Sequence, residues 1–129
     1  MAFPLLPALF ITWIDWIQNK MYVSVTGLKP RGLIGWIRFW ILTIPASKDA
    51  QKAKGIMHCA FISRQGYQHT LTVWKSKEHM LGYLTSPAHL KAMKNLSKIG
   101  SGKVYGYETN SIPSWEDAFT ELDKNGRIH

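Results

Sequence analysis

Apolar and polar residues alternate along several short segments of the chain, as they do in β-strands that bury one face. In the first segment, Val23 and Val25 alternate with polar neighbours, which predicts a strand with one side toward a core. The segment Tyr67–Trp74 is rich in β-branched and aromatic residues, which also favours a strand. Gln65 and Gly66 predict a tight turn, so the second and third strands form a hairpin. The predicted strands are Tyr22–Leu28, Ile56–Ser63, Tyr67–Trp74 and Lys103–Glu108.

The first predicted helix, Leu33–Ile44, is apolar on almost every side. Arg38 is its only charged residue, so we expect other parts of the protein to cover most of the helix surface. Pro45 cannot donate a backbone hydrogen bond, and it predicts a kink. Polar residues 47–54 continue for a turn or two, and Gly55 is expected to end the helix as its C-terminal cap.

Two short helices are predicted after the third strand, each with its own N-terminal cap. The hydroxyl groups of Ser76 and Ser86 can each accept a backbone N–H that would otherwise lack a partner. In the second helix, Leu90, Met93 and Leu96 recur at helical spacing. This spacing predicts the buried face of that helix.

The order of these elements, βαββαβ, predicts an α+β protein with a ferredoxin-like fold. A single domain is expected over residues 21–129, with a short last helix that begins near Ser114 and ends near Asp123. The helices of this fold cover one face of the sheet, and the other face would leave a broad apolar patch in water. We therefore expect the protein to form a homodimer.

Residues 1–20 form an apolar N-terminal extension that does not fit this domain. Three interpretations are open: the extension packs Trp13 and Trp16 on the domain or lies disordered, Met21 is the natural start, or the segment is an interfacial membrane anchor. The uncharged run before Asp15 is shorter than the roughly 20 residues that cross a bilayer. A basic region and a small-residue cleavage site, which a secretory signal requires, are both absent from the sequence.

Charge and cysteine content narrow the range of partners. The chain has 129 residues and a formal net charge of +8, but its lysines are scattered over predicted helix exteriors and no nucleic-acid-binding motif accompanies them. We therefore expect a solvated basic surface and no specific nucleic-acid partner. The single cysteine, Cys59, excludes an intramolecular disulfide and a metal site built from cysteine alone. It fits a reducing compartment, and we expect a cytoplasmic location.

The segment TVWKSKEHMLGYLTSPAHLKAMK, residues 72–94, resembles the strand-to-helix part of the antibiotic-biosynthesis-monooxygenase superfamily. The resemblance extends from Met21 to Glu108 and implies that two protomers close their sheets into a dimeric α/β barrel. That superfamily holds oxygenases, isomerases, decolourising peroxidases and proteins without known activity, so its fold does not select one reaction. The TVWKSK run looks especially like the small bacterial haem-degrading monooxygenases.

Three working residues of the haem-degrading enzymes are replaced in this chain. By the resemblance, their asparagine, tryptophan and iron-binding histidine fall at Thr26, Tyr83 and Met93. A methionine can ligate haem iron, and His89 lies one helical turn before Met93, so the cofactor is left open between none and haem. A looser resemblance of HTLTVWKSKEHM and SPAHLKAM to the spheroidene monooxygenases implies a lipophilic substrate.

Histidines are the candidate catalytic residues, because the sequence contains no motif for nucleotide binding, zinc proteases or serine hydrolases. We expect His89 or His58 to act as the base, and we expect no metal site. His79 has charged neighbours and is given no role. Burial in an apolar pocket should lower the pKa of His89. The pocket is expected between sheet and helices, with ligand contacts from Thr26, Trp36, Trp40, Trp74, Tyr83, His89 and Met93.

These features predict a small monooxygenase-like enzyme that acts on a hydrophobic aromatic or polyene compound. In the cofactor-independent members of the superfamily the substrate itself activates dioxygen, so the resemblance requires only a base and a dry cavity from the protein. Two alternatives remain open. One is a non-catalytic binder of haem or another apolar ligand, and the other is a peripheral membrane protein with an anchor in roughly its first forty residues.

Overall fold

The computed structural model describes residues 20–128, except for the side chains of residues 96 and 97. The expectations for residues 1–19, including Trp13 and Trp16, lie outside the described residues, as does the buried position expected for the Leu96 side chain. In chain order the elements are β1 (Met21–Pro30), α1 (Gly32–Lys52), β2 (Ile56–Arg64), β3 (Tyr67–Trp74), α2 (Lys77–Leu84), α3 (Pro87–Lys94), α4 (Leu96–Ile99), β4 (Gly100–Thr109), α5 (Trp115–Asn125) and β5 (Arg127–Ile128).

The strands form one antiparallel sheet in the order β2-β3-β1-β4-β5. The first four strands have the arrangement of a ferredoxin-like fold, with β3 and β1 in the centre, which confirms the predicted fold class. Strands β2 and β3 form the predicted hairpin. Its two turn residues, Gln65 and Gly66, have φ angles of 54° and 82°. Two positive φ angles are what a type I′ turn requires, and this turn follows the twist of the paired strands.

One face of the sheet packs against α5. The apolar residues of β1 and β3 lie opposite each other, because Val23 pairs with Val73 and Val25 pairs with Leu71. Helix α5 places two apolar side chains on this patch, and its N-terminus is held by the Ser114 hydroxyl as predicted. The resulting core is almost completely buried and consists of Val23, Val25, Leu71, Val73, Ala118 and Leu122.

The position of α5 changes the argument for a homodimer. A homodimer was expected because a lone protomer would leave an apolar sheet face open, but α5 of the same chain covers the centre of that face. Ile62, which pairs with His69 at the β2 side of the same face, is still exposed. The homodimer stays a prediction, and burial of this sheet face no longer requires it.

The opposite face of the sheet is covered by α1, α2 and α3. Helix α1 is one element of 21 residues with Pro45 inside it, so the predicted apolar helix and the polar turns after it belong together. The helix ends at Lys52, and its C-cap is Ala53 rather than the predicted Gly55, which lies in the turn before β2 with a φ of 87°. Its buried side is marked by Gly35, Phe39, Ala46 and Ala50.

Two predictions about buried helix surfaces are wrong within the described part of the chain. The outer side of α1 is not covered, although almost every residue there is apolar. In α3, Leu90 and Met93 are each nearly half exposed, and no residue of this helix is buried. Helical spacing gave the correct helix, but the side that faces the cavity is formed by His89, Ala92 and Met93 rather than by Leu90.

Candidate functional site

A cavity of about 400 Å³ lies between the sheet and the helices. Its floor is the sheet face opposite α5, which carries small hydroxyl side chains. Ser24 and Thr26 of β1 pair with Thr72 and Thr70 of β3, and all four line the cavity. Because these side chains are short, they leave space beneath the helices. The strand alternation therefore separates one valine- and leucine-rich face, which forms the core, from one hydroxyl-bearing face, which bounds a cavity.

The roof of the cavity is apolar and is built mostly by three helices, and Ile99 of α4 also lines the cavity. Phe39 and Leu42 come from α1, Met80 comes from α2, and Ala92 and Met93 come from α3. Met93 lines the cavity and is also half exposed, so it lies where the cavity meets solvent. An apolar wall with a few convergent polar groups is the usual make-up of a small-molecule site.

Three aromatic rings connect the end of β3 to this cavity. Trp74 is completely buried and stacks on Tyr83, with ring centroids 5.3 Å apart. Tyr83 contacts the edge of His89, with centroids 5.0 Å apart. The Tyr83 hydroxyl donates a hydrogen bond to the Ala46 carbonyl at 2.9 Å, which ties α2 to α1. Burial raises the pKa of Tyr83 to about 12, so this hydroxyl remains a donor.

His89 brings a titratable group into the cavity wall. The Ser86 hydroxyl caps α3 by accepting the backbone N–H of His89 at 3.4 Å, so the ring projects from the first turn of the helix. The Nδ1 atom of His89 is buried and has no hydrogen-bond partner among residues 20–128. Burial lowers the pKa of His89, and a hydrogen bond of the ring with the backbone of Leu84 opposes this effect. The ring is therefore neutral at neutral pH, as predicted, and can accept a proton.

Of the residues predicted to contact a ligand, Thr26, Tyr83, His89 and Met93 line the cavity. The three tryptophans do not. Trp36 and Trp40 each follow a buried position of α1 by one residue, which rotates them about 100° around the helix from that position. Their ring centroids are 6.4 Å apart. Trp74 lies behind Tyr83. The expected tryptophan wall is thus corrected to a wall of smaller apolar side chains.

The structure separates the two histidines that were predicted as alternative bases. His58 pairs with Val73, so it lies on the α5 face of the sheet and cannot reach the cavity on the other face. His79 also lies outside the cavity, where its Nδ1 atom is 2.7 Å from the Ser76 hydroxyl. Only His89 of these three lines the cavity, and its catalytic role remains a prediction.

Thr26 was predicted to contact a ligand, but the other hydroxyl residues of the floor, Ser24, Thr70 and Thr72, were not predicted, and neither was Cys59. Cys59 pairs with Thr72 and lines the cavity, and burial raises the pKa of its thiol. The alternation of β2 contained the signal, because Cys59 and Phe61 lie on the opposite face of the strand from His58. The other hydroxyl residues were overlooked because mainly histidines and tryptophans were considered as site residues. Threonine in a strand suggests only β propensity.

His69 occupies a second buried position, on the α5 face. It is 3% exposed, and its Nδ1–H donates a hydrogen bond to the Thr26 carbonyl at 3.2 Å. Its Nε2 atom is buried without a partner among the described residues. The ring lies close to β1, because a Cβ atom at position 27, which is Gly27, would be 2.7 Å from its Cε1 atom. Burial lowers the pKa of His69, and the hydrogen bond to Thr26 opposes this effect.

We expect the free energy of unfolding to fall as the pH is lowered below about 6.5, the ordinary histidine pKa of the unfolded chain. Because the pKa values of His69 and His89 are lowered by folding, the unfolded chain binds protons first. The contribution of these two neutral histidines to the free energy of unfolding is complete above that pH. It is lost as the pH falls toward their lower pKa values in the folded state. Urea denaturation between pH 7.5 and pH 5 measures the effect. A doubly substituted His69→Gln, His89→Gln chain should show a shallower decline, and an unchanged decline would contradict this assignment.

Within residues 20–128, no group of three or more histidine, cysteine, aspartate or glutamate side chains is arranged to hold a metal ion. None of the described helices combines the length and the apolar character that crossing a membrane requires.

The fold and the cavity together define a ferredoxin-like α+β protein with a ligand-sized site between its sheet and its helices. A conserved protein from Methanosarcina mazei Go1 has a similar structure, with a TM-score of 0.63 and 13% identity over 71% of this chain and 96% of that one. A mutant of SnoaB, a cofactor-independent oxygenase from Streptomyces nogalater, gives a TM-score of 0.60 and 11% identity, over 73% of this chain and 98% of that one. A candidate antibiotic biosynthesis monooxygenase from Deinococcus radiodurans gives a TM-score of 0.62 and 14% identity, over 72% of this chain and 96% of that one.

These similarities show that the chain has the fold of the antibiotic-biosynthesis-monooxygenase-like proteins, as the resemblance of residues 72–94 implied. At this level of identity they show the fold alone. No protein-family model matches the chain, and no curated protein matches it.

Proposed function

We propose that the protein is a monooxygenase-like enzyme that oxidises a phenolic aromatic compound in the cavity, without a cofactor, with His89 as the base. The observation that carries the proposal is the buried Nδ1 atom of His89, which lines an apolar cavity and has no partner among the described residues. A buried acceptor without a partner is uncommon in a folded protein. A substrate hydroxyl would supply the missing donor.

The lowered pKa of His89 suits this role. A base must be unprotonated before it can act, and burial keeps the imidazole of His89 neutral at neutral pH. The neighbouring Tyr83 ring fixes one side of His89 without competing for its proton, because the Tyr83 hydroxyl already donates to Ala46. His89 can therefore take a proton from a substrate hydroxyl that approaches across the cavity.

The hydroxyl floor would bind the anion that this proton transfer creates. Ser24, Thr26 and Thr70 carry hydroxyl groups at the cavity surface, and such groups can donate to a substrate oxyanion. The apolar roof, including Phe39 and Leu42, would pack against the aromatic ring and exclude water.

The oxidation itself requires only the substrate anion and dioxygen. Loss of the phenolic proton to His89 places electron density at the para carbon, dioxygen adds to that carbon, and elimination of water then leaves a quinone. One oxygen atom of dioxygen forms the new carbonyl group and the other leaves as water. The substrate supplies all four electrons, so no external reductant takes part. The cofactor-independent oxygenase activity that SnoaB is named for supports a reaction of this kind in this fold.

Oxygen consumption with 1-naphthol tests the proposal. We expect chelator-treated protein to convert 1-naphthol to 1,4-naphthoquinone with one atom of labelled dioxygen in the product, measured by mass spectrometry. The His89→Gln variant should be slower by roughly 100-fold or more, as for the loss of a general base. The matched control is His58→Gln, because His58 lies on the opposite face of the sheet. Equal rates for His89→Gln and the unchanged protein would overturn the assignment.

Binding of haem in the same cavity is the second candidate function. Met93 and His89 both line the cavity, and a thioether and an unpaired imidazole nitrogen are groups that hold haem iron. When bound, haem would supply one-electron and dioxygen chemistry. Titration with haemin distinguishes the candidates: a Soret band that is lost in both His89→Ala and Met93→Ala favours haem, whereas quinone formation by colourless protein favours the proposed reaction.

A further inference from the structure

The outer side of α1 carries a continuous apolar surface. From Ile34 to Ile44, every third or fourth residue is an isoleucine, so these side chains form a line along the helix. We define the outer α1 face as the six residues of this side that are 45–72% exposed: Leu33, Ile34, Trp36, Ile37, Ile41 and Ile44. Single proteins seldom leave such a contiguous apolar patch in water. A surface of this kind therefore needs something to cover it.

Cationic residues border the outer α1 face. Arg38 follows Ile34 by four residues, and Lys48 follows Ile44 by four residues, so each cation lies next to an isoleucine on the helix surface. Lys52 continues this edge one turn later. All three cations are exposed, and none of them forms an ion pair within residues 20–128.

The neighbouring helices have the same combination of apolar and basic residues. Helices α1, α2 and α3 contain three, one and two lysine or arginine residues, and they contain only two acidic residues together. In α3, the exposed side chains of Leu90 and Met93 lie among Lys91 and Lys94. The whole helical layer therefore presents exposed apolar groups within a positive surface.

We propose that the outer α1 face binds the surface of an anionic lipid membrane. The isoleucines and Trp36 enter the boundary between headgroups and acyl chains, where amphipathic side chains such as tryptophan are favoured. Arg38, Lys48 and Lys52 contact the acidic headgroups. Charge selects this occupant over a second copy of the chain, because a second copy would bring the same cations face to face.

This proposal goes beyond the reaction in the cavity and does not depend on it. Helix α1 turns Phe39 and Ala46 toward the cavity, while the outer α1 face points the other way. Membrane binding therefore leaves the cavity intact. It would also bring the cavity close to a store of apolar compounds.

Vesicle flotation of the full chain tests the proposal. We expect binding to vesicles of phosphatidylcholine mixed with phosphatidylglycerol. Vesicles of phosphatidylcholine alone should bind at least about tenfold less protein, because they lack the surface charge that attracts the basic residues. Binding to the anionic vesicles should also weaken as salt is added, since salt screens the contacts of exposed cations.

Paired variants locate the contact. The double variant Ile34→Glu, Ile41→Glu should bind anionic vesicles at least about tenfold more weakly, because it places two charges in the apolar part of the contact. The control Ile112→Glu changes an isoleucine of similar exposure, 46%, in the connection between β4 and α5, and should bind normally. If the double glutamate variant does not fold, Arg38→Gln with Lys48→Gln and Lys52→Gln serves instead. It should lose only the preference for anionic vesicles.

Three results would overturn the proposal. The first is an unchanged protein that binds neither kind of vesicle. The second is binding that survives Ile34→Glu, Ile41→Glu but is lost in Trp13→Glu, Trp16→Glu, which would assign the contact to residues 1–19. The third is a dimer in light scattering that the first pair of substitutions dissociates, together with no vesicle binding, which would assign the surface to a second copy.

Discussion

Replacement of Trp74 by alanine is expected to lower the free energy of unfolding by about 3–5 kcal/mol. Trp74 is 0% exposed and its ring stacks on Tyr83 at 5.3 Å, so its removal leaves a large void between β3 and α2. The surrounding backbone cannot close such a void, because β3 is held by strands on both sides. Urea denaturation followed by far-ultraviolet circular dichroism measures the loss.

Two matched variants separate packing from the mere loss of a tryptophan. Trp74→Phe retains an aromatic ring against Tyr83 and removes an indole N–H that has no partner among the described residues, so it should cost much less. Trp36→Ala changes a side chain that is 48% exposed and should stay within about 0.5 kcal/mol of the unchanged protein. Equal losses for Trp74→Ala and Trp36→Ala would contradict the packing described for β3 and α2.

Replacement of Leu122 by alanine is expected to cost about 2–5 kcal/mol. Leu122 is 1% exposed and is one of two fully buried α5 residues in the core with the valines of β1, so its loss weakens the attachment of α5 to the sheet. Chemical denaturation should show this loss, and Lys124→Ala, an exposed change in the same helix, should not.

The Leu122 variant also bears on assembly. Because α5 packs on the sheet of its own chain, the loss of stability in Leu122→Ala should not depend on protein concentration. A loss that grows on dilution would show instead that this sheet face is buried between two copies. Light scattering at micromolar concentration gives the mass of the unchanged protein directly, and it tests the homodimer prediction independently of α5.

Much of the fold could be predicted because the relevant signals are local. Val23 and Val25 alternate with polar residues, Gln65-Gly66 occupy a turn, and Ser76 and Ser86 cap helices, and each of these features depends on a few neighbouring residues. The structure agrees with all of them. The inner side of α3 was predicted only in part: His89 and Met93 line the cavity as expected, whereas Leu90 is exposed. A helix of two turns has too few residues for spacing to fix its rotation.

The candidate site was predicted in part. His89 was placed at a pocket through its position in α3, and the direction of its pKa shift followed from burial. The tryptophan wall was wrong: Trp36 is 48% exposed, and the half-buried Trp40 stacks on Phe39 without lining the cavity. His58 could not be assigned to a face relative to α3 until the register of β2 against β3 was known.

The sequence by itself determined the strands, the hairpin, the N-terminal helix caps and the division of each central strand into two chemically different faces, because all of these follow from residues close together in the chain. Only the tertiary structure decided what covers each face. Residues from four strands and four helices meet at the cavity, while α5, which follows β4, covers the valine-rich face. These contacts join residues far apart in sequence, and local alternation carries no information about them. The exposed side of α1 among residues 20–128 could not be foreseen for the same reason: an apolar helix predicts that its surface is covered, but not which side the other described elements leave exposed.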